Sequence, residues 1–558
     1  MRMTMFSWRD TLTLALVAIL PAVIQAIVGV SLTGSHAAAD GPFTIGALSQ
    51  YNAEFSGGTW QPRWAWTGNN GLGSPIFFIY PPGAYFVTAL IYSWFPSLAP
   101  ATVISIMGVI FRALAIGSCA LWLGQHFEAK IALAGGAFYA LMPYIAYYNP
   151  EYRLAYAETS AAALLPLVFL AVDLGHGRFL QTIVYVAGAI CLLAFFHLPS
   201  IMIAGGLSVI YAGLLASSTN AAIVRIFSVL SGVLLGLALA ALDIVPAISL
   251  LPEISASNLQ NPAFAWSGNF LLKPRGLVNP YFVPLDICFF VPFIAGVAGI
   301  RKVIGEPCGR AIVGTFIVSA FLMLPLALPV WKIVYPLQQI QFPWRFLLPM
   351  SLMAAALCTD MFCLADAKYR LVILGAFGVV GLITVAVSIM TGDPSHSDAE
   401  RSRQALQADY VDAPEYMPRV AGTKGWFYFH QKGGNSQERA ARAISPCLLR
   451  ASAPIRTAEK GMAFDVSQCN GQTVFPQFYF PGWSAKGMSD LTVAPDPVSG
   501  FVMVNIRPGT KQVTLARKML NEETLGWRIS ALAFVAWMSL IACNGYVGHK
   551  RDIRANIR

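Results

Sequence analysis

Nine residues of this chain have types and positions that suit chemistry at a membrane surface: Asp40, Arg63, Tyr80, Arg153, Glu158, His197, Lys273, Arg275 and Arg345. Asp40 carries the sharpest question. It stands in "SHAAADGPF" (Ser35 to Phe43), just after the apolar run Thr11 to Val30. A lone carboxylate outside a membrane span is what a membrane-bound transferase uses as a general base, accepting the proton of an attacking hydroxyl. The same residue type is a favoured helix N-cap. The three alanines Ala37 to Ala39 are, in turn, what a signal peptidase cuts after. The apolar run is about 20 residues long, whereas the apolar region of a signal peptide is about 7–15. A retained first helix is therefore expected, with Asp40 a short way beyond the outer membrane surface.

The elements that must position these residues are membrane helices. Of 558 residues, 56% are apolar and only 11% charged, against about 25% charged in a soluble protein. Apolar runs long enough to cross a bilayer recur along the chain. Expected spans are 10–31, 101–123, 130–149, 157–174, 180–196, 199–216, 223–246, 286–300, 311–329, 346–365, 371–391 and 526–547. The net charge of +10 reflects the bias of Lys and Arg toward cytoplasmic connections. No basic patch with interleaved aromatics points to nucleic acid.

The connections "GQHFEAK" (Gly124 to Lys130), "GHGR" (Gly175 to Arg178), "RKVIGEPCGR" (Arg301 to Arg310), "DAKYR" (Asp366 to Arg370) and the tail from His549 are basic. Placing all of them in the cytoplasm, with both termini, brings every span into phase. The apolar stretch Pro75 to Phe95 breaks that phase if it crosses, and Pro81-Pro82 interrupts it. It is read as a re-entrant or interfacial element. Three outer regions follow: 31–100, 247–285 and about 391–525. In the first, Ile45, Leu48, Tyr51 and Phe55 lie at helical spacing, as in an amphipathic surface helix. The third is polar, and alternating runs such as "GFVMVNI" and "KQVTLA" suggest a β-sandwich. The expected domains are thus a transmembrane module 1–390, an outer β-rich domain 391–525, and a final helix with a basic tail, 526–558. Cys447 and Cys469 are the two cysteines of the outer polar segment and are expected to pair there.

Several stretches carry a resemblance. They are "PRW", "GLGSP" and "IYPP" between Pro62 and Pro82, "YALMPYIAYYNPEYRLAYAE" (Tyr139 to Glu158), "LQQIQFPWRFLLP" (Leu337 to Pro349), "FYFPGWSAK" and "VNIRPGTKQVTLAR". Together they resemble the bacterial membrane proteins called 6-pyruvoyl-tetrahydropterin synthase-related, within the GT-C superfamily of polytopic glycosyltransferases. Pterin synthases hold zinc with clustered histidines, and the seven histidines here are scattered. The resemblance implies a GT-C-like fold of about 12 spans in the bacterial inner membrane. It implies a polyprenyl-phosphate sugar as donor and a glycan, lipid or protein as acceptor. It also places the catalytic base in the first outer loop, where Asp40 stands. No cofactor is implied; a divalent metal is left open, although these loops contain no Asp-x-Asp pair.

In that chemistry the leaving group is a phosphate, so cations are needed rather than a general acid. Arginine binds phosphate oxygens bidentately, and Arg63, Arg153 and Arg345, with Lys273 and Arg275, fall on the expected outer side. Tyr80, Glu158 and His197 complete the expected substrate contacts. Structural alternatives stand beside these roles. Arg345 either holds phosphate or snorkels from its helix, Arg153 and Glu158 either line the site or form an ion pair, and His197 either contacts substrate or caps a helix. Trp60, Trp64 and Trp66 either stack on a sugar or form an interfacial belt. Arg112, Asp243 and Asp360 lie in or near spans and need partners. Two other function classes remain open from sequence: a transporter or flippase of lipid-linked or envelope precursors, and a non-catalytic envelope scaffold. No repeated halves of the kind carriers show are present.

The phase of the basic connections makes a direct prediction. Cysteines substituted at Lys302 and Lys368 should label only from the cytoplasmic side in cysteine-accessibility mapping. Labelling of either from the outside would overturn the topology.

Overall fold

The computed structural model describes residues 8–28, 40–98, 100–260, 265–273, 283–303, 306–391, 414–423, 436–457 and 461–556. Numbering the longer helices, the chain forms α1 (Trp8–Val28), α2 (Gly41–Ser56), α3 (Gly83–Trp94), α4 (Pro100–Leu123), α5 (Ala129–Leu141), α6 (Tyr156–Leu174), α7 (Phe179–Ala194) and α8 (Leu198–Leu214). It continues with α9 (Thr219–Leu239), α10 (Ala241–Ser249), α11 (Val283–Val303), α12 (Pro307–Leu322), α13 (Leu347–Leu364), α14 (Ala367–Thr391) and α15 (Asn521–Asn556). Each of the twelve expected spans falls on a helix. Among the described residues, six helices are long and apolar enough to cross a membrane, and further apolar helices of 10–17 residues stand beside them. The protein is a multi-pass helical membrane protein with a C-terminal β-rich domain.

Three spans differ from their sequence boundaries for local reasons. The run 130–149 ends its α-helix at Leu141 and continues as a π-helical stretch from Tyr144. The run 223–246 divides at Ala240 into α9 and α10. The run 311–329 turns by 89° after Leu322, where Pro325 and Pro329 lack the amide hydrogens that would continue the helix. Pro75 to Phe95 forms two short helices, Ile76–Ile79 and α3, joined through Tyr80 and the two prolines. A helix of 12 residues is about 18 Å long at 1.5 Å per residue, well short of a hydrocarbon core. Small residues set the closest helix contacts elsewhere. A Cβ on Gly236 of α9 would stand 2.8 Å from the Ala187 carbonyl of α7, and one on Gly299 of α11 2.7 Å from the Leu357 carbonyl of α13. Such glycines let helix backbones approach without lipid between them.

The expected alternating stretches become strands of a two-sheet sandwich spanning Ile455 to Arg517. The strands are β1 (Ile455–Arg456), β2 (Met462–Asp465), β3 (Gly471–Phe478), β4 (Trp483–Lys486), β5 (Asp490–Leu491), β6 (Val493–Pro495), β7 (Phe501–Ile506) and β8 (Gln512–Arg517). One sheet has the order β1-β2-β8-β4-β5 and the other β3-β7-β6, with antiparallel pairing throughout. Phe464, Phe475, Phe478, Phe501, Val504, Val513 and Leu515 fill the space between them. Cys447 and Cys469 form a disulfide, Cα atoms 5.4 Å apart, which ties the short helix Pro446–Leu449 to the turn before β3. Closing a loop of this size stabilises by about 3 kcal/mol in the chain-entropy account.

The sandwich docks on the first outer region. Trp64 donates to the Gln477 side chain at 2.9 Å, and the Gln477 amide donates to the Trp66 and Gly71 carbonyls at 3.1 and 2.8 Å. Trp64 and Trp66 both pack edge-on against Trp483, ring centroids 5.2 and 5.3 Å apart. These two tryptophans are therefore buried in a domain joint, and neither the sugar-stacking nor the belt expectation applies to them; Trp60 stays 68% exposed. The Arg517 guanidinium lies over the Phe78 ring at 4.3 Å. At the rim, Arg456 of β1 pairs with the buried Glu54 of α2.

Burial raises the Glu54 carboxyl above its ordinary value, and Arg456 opposes that shift. The ionised form is thus the costly one in the folded protein, and its cost grows as pH rises. Arg456→Ala should destabilise the purified protein by about 1–3 kcal/mol at neutral pH, because it leaves a buried carboxylate unpaired. Glu54→Gln should cost less. Thermal unfolding at a lower pH should shrink the Arg456→Ala defect as Glu54 protonates. A defect that is unchanged or larger at low pH would contradict this assignment.

Candidate functional site

The site is built around an irregular turn between α5 and α6. After α5 the chain runs through a π-helical stretch, Tyr144–Arg153, with Pro150 inside it. The wider turn suits the tyrosines spaced four apart in "YIAYYNPEYR". Tyr144 stacks on Tyr148 and Tyr148 on Tyr152, centroids 5.7 and 5.3 Å apart. The stretch ends at Leu154, which takes a left-handed conformation with φ of 53°. A non-glycine residue there carries about 1–2 kcal/mol of strain, held by burial of the Leu154 side chain. That reversal brings Arg153, on one side of the break, back against Glu158 in the first turn of α6.

Arg153 is the hub. Its Nη1 lies 3.3 Å from Glu158 Oε2 and its Nη2 3.0 Å from Asp40 Oδ2. Arg345 reaches the same Glu158 oxygen with Nε at 3.5 Å, and the Tyr144 hydroxyl donates to Oε1 at 2.6 Å. Four charged residues thus alternate in sign: Asp40, Arg153, Glu158, Arg345. Glu158 is 2% exposed, Arg153 9% and Arg345 11%, whereas the Asp40 side chain is 40% exposed. The carboxylate at the open end of the chain is Asp40.

Asp40 occupies the N-cap position of α2, but its side chain makes no capping bond. Its carboxylate is given to Arg153 instead. The backbone holds the pair in register: the Asp40 amide donates to the Arg153 carbonyl at 2.6 Å, and the Thr44 hydroxyl donates to the Leu154 carbonyl at 2.9 Å. Arg345 sits in the turn Pro343–Phe346 that opens α13. Its Nη1 donates to the Ile340 carbonyl at 2.6 Å, and its guanidinium lies over the Phe342 ring at 5.0 Å. Its side chain is 11% exposed and bonded to partners within the protein, not snorkelling to the surface.

Aromatic rings border the open end. Tyr80 packs against Phe43 at 5.3 Å and against Tyr416 at 5.8 Å. Burial and then the neighbouring Asp40 carboxylate raise the Tyr80 hydroxyl well above its ordinary range. For Tyr416, burial comes first, followed by Glu415 and Tyr80. Both phenols stay protonated. His197 lies between α7 and α8, buried, with Nδ1 2.8 Å from the Ser200 hydroxyl. Burial pushes its imidazole down to about 3; Glu158 opposes the shift while Arg345 and Arg153 assist it. His197 is therefore neutral beside the charged chain.

The remaining expected residues lie elsewhere. Arg63 pairs with Asp243 at 2.7 Å and Glu523 at 3.6 Å, and donates to the Phe77 and Leu242 carbonyls at 3.2 and 2.8 Å. It fastens its loop to α10 and α15, and no described contact joins it to Arg153, Glu158 or Arg345. The same pairing supplies the partner that Asp243 needed, with Gln61 donating to it at 2.8 Å. Arg112 donates to the Ala146 carbonyl. Lys273 is exposed and no described contact joins it to the chain of charges; Arg275 lies outside the described residues. Tyr144 and Tyr416 were not singled out from sequence. The four-residue tyrosine spacing was a signal for Tyr144, whereas nothing local marks Tyr416. Among the described residues, no group of three or more His, Cys, Asp or Glu is arranged to hold a metal ion.

No family model matches this chain, and no curated protein sequence matches it. Solved structures that it resembles in backbone include the Archaeoglobus fulgidus oligosaccharyltransferase tethered with an acceptor peptide, at 12% identity and a TM-score of 0.42, covering 78% of this chain and 59% of that one. Another is ArnT from Cupriavidus metallidurans bound to undecaprenyl phosphate, at 15% identity and a TM-score of 0.43, covering 77% of this chain and 81% of that one. A third is the arabinofuranosyltransferase AftD from Mycobacteria, at 17% identity and a TM-score of 0.41, covering 78% and 30%. The chain thus spans less than two thirds of the archaeal enzyme and of AftD.

A buried chain of alternating charges responds asymmetrically to mutation. Arg153→Gln removes the shared partner of two carboxylates and should destabilise the protein by about 3–5 kcal/mol. Adding Glu158→Gln should recover part of that loss. Thermal unfolding of the single and double variants checks it, and a double variant less stable than Arg153→Gln alone would refute the hub assignment.

Proposed function

We propose that this chain is a GT-C-type membrane glycosyltransferase, akin to the 6-pyruvoyl-tetrahydropterin synthase-related proteins that its motifs resemble. In this reading it moves a sugar from a polyprenyl-phosphate carrier to a hydroxyl-bearing glycan, lipid or protein acceptor outside the cytoplasm. The observation that supports it best is the buried chain of charges whose exposed end is Asp40. That chain and the basic connections lie at opposite ends of α6: Glu158 is in its first turn and Asp173 in its last, where His126 and Cys308 from two of those connections meet.

The roles follow from charge and exposure. The acceptor oxygen bonds to the anomeric carbon as the bond from that carbon to the phosphate oxygen breaks. The leaving phosphate keeps the electron pair, and the acceptor proton passes to Asp40, a carboxylate held by Arg153. Arg345 and Arg153 stabilise the phosphate. Bidentate guanidinium contacts suit the charge that grows on the leaving oxygens. Glu158 is a positioning residue here: it holds both guanidiniums on one carboxylate, so that neither swings away. Neutral His197 adds no charge that would compete with them. Tyr80 and Tyr416 offer protonated phenols and ring edges to the acceptor side.

The test is a comparison of envelope glycans and lipid-linked sugars in cells carrying wild-type or variant protein. Asp40→Asn keeps the size of the side chain but loses the proton acceptor and the charge paired with Arg153, so transfer should fall by about 10²–10⁴ with the protein still folded and inserted. Arg345→Lys should reduce transfer less, because the charge survives while the bidentate geometry is lost. Unchanged glycans in Asp40→Asn cells would remove Asp40 from the chemistry.

A further inference from the structure

At the other end of the bundle lies a second cluster of reactive groups that the transfer reaction does not use. Cys308 is the second residue of α12, a helix of 16 residues that opens at Pro307. Its Sγ is 3.5 Å from His126 Nε2, in the connection between α4 and α5. The same nitrogen is 2.9 Å from Asp173 Oδ2, at the end of α6. Asp173 is fixed in turn by Trp122 Nε1 at 2.9 Å and by the Tyr211 hydroxyl of α8 at 3.1 Å. That hydroxyl is also 3.9 Å from Cys308 Sγ. Glu306 and Arg310, on the same helix turn as Cys308, are exposed.

We propose that Cys308 is a nucleophilic thiol and a site of covalent modification by peroxides, with His126 as its proton-transfer partner. Thiols beside a protonated imidazole and at a helix N-terminus are the reactive ones, whereas thiols buried among apolar groups are inert. Cys308 meets both conditions and is half-buried, so small reagents reach it. Burial opposes charge on His126, but the hydrogen bonds to Asp173 and Cys308 outweigh it and push the imidazole up to about 10. His126 therefore carries a proton at neutral pH. Glu306 at the N-cap makes no side-chain capping bond, and Cys308 stands in the first turn of α12, where backbone amides lack intrahelical partners. None of the other six cysteines outside the disulfide has a histidine among its described contacts; Cys119, Cys288 and Cys358 are buried.

The arrangement differs from a hydrolytic relay. There, the acid and the nucleophile use opposite ring nitrogens. Here Asp173 and Cys308 share Nε2, so His126 acts as an ion-pair partner and proton source. The step balances accordingly. The thiolate sulfur attacks one peroxide oxygen, and the oxygen–oxygen bond breaks. The departing hydroxide takes the Nε2 proton and leaves as water. Sulfur is oxidised to a sulfenic acid, the peroxide is reduced, and His126 is left neutral.

The test uses the full chain purified in detergent, treated with hydrogen peroxide and the sulfenic-acid trap dimedone, with adducts located by peptide mass spectrometry. N-acetylcysteine is the reference thiol. Cys308 should form its adduct at least about fivefold faster than the reference. His126→Gln should bring the rate to the reference value or below, Cys308→Ser should abolish the adduct, and wild-type protein unfolded in detergent should react like the reference. The last arm does not depend on any variant folding. A folded-state rate no greater than the reference, a rate unchanged in His126→Gln, or equal rates in folded and unfolded wild type would each overturn the proposal.

Discussion

One end of this protein depends on one guanidinium. Arg153 touches two carboxylates at once, Asp40 at 3.0 Å and Glu158 at 3.3 Å, from a position that is 9% exposed. Moving such a group out of water costs several kcal/mol, and only close partners offset it. The need to supply those partners accounts for much of the local architecture. The π-helical stretch and the left-handed Leu154 turn the chain so that Glu158 can approach. The backbone bond from Asp40 to the Arg153 carbonyl fixes where α2 begins. Arg345 completes the sequence of charges from a turn almost two hundred residues further on. The two positive and two negative side chains balance, which allows the group to be buried; the exposure of Asp40 leaves one end reachable.

Around that centre the helices provide rigidity and the sandwich provides enclosure. The tryptophans of the first outer loop and the arginines 63 and 517 join three parts that are far apart in sequence: the outer loop, α10 with α15, and the sandwich. Tyr416 reaches Tyr80 and Phe43 because its segment is paired to the second outer region, through the Ser255 amide and the Met417 carbonyl at 2.9 Å. The C-terminal part of the chain therefore supplies a wall to a site whose charges come from the membrane module.

Much of the fold was legible because the membrane imposes a simple rule. Backbone polar groups must be satisfied within each span, so an apolar run of sufficient length is a helix, and the twelve runs are. The alternating stretches became β7 and β8 for an equally local reason. The site was legible only in part. Asp40, Arg153, Glu158 and Arg345 stand out by residue type at the outer ends of spans. What the sequence did not separate was Arg63 from Arg345, since the two have the same charge on the same side, and the difference lies in partners such as Glu523 that no local pattern links to them. Trp64 and Trp66 were misjudged because an aromatic cluster has the same composition in a belt, a sugar platform or a domain joint. Sequence left base and cap open for Asp40 because capping depends on one side-chain torsion, and in the structure the carboxylate is bonded to Arg153 rather than to the helix amides.

The most direct test of this account is a cryo-EM map of the protein with a non-transferable polyprenyl-phosphate sugar analogue. The account predicts the phosphate within hydrogen-bond distance, about 3 Å, of the Arg345 and Arg153 guanidiniums, with the anomeric carbon facing Asp40. A headgroup bound elsewhere, with the alternating chain of charges undisturbed and no sugar near Asp40, would contradict it.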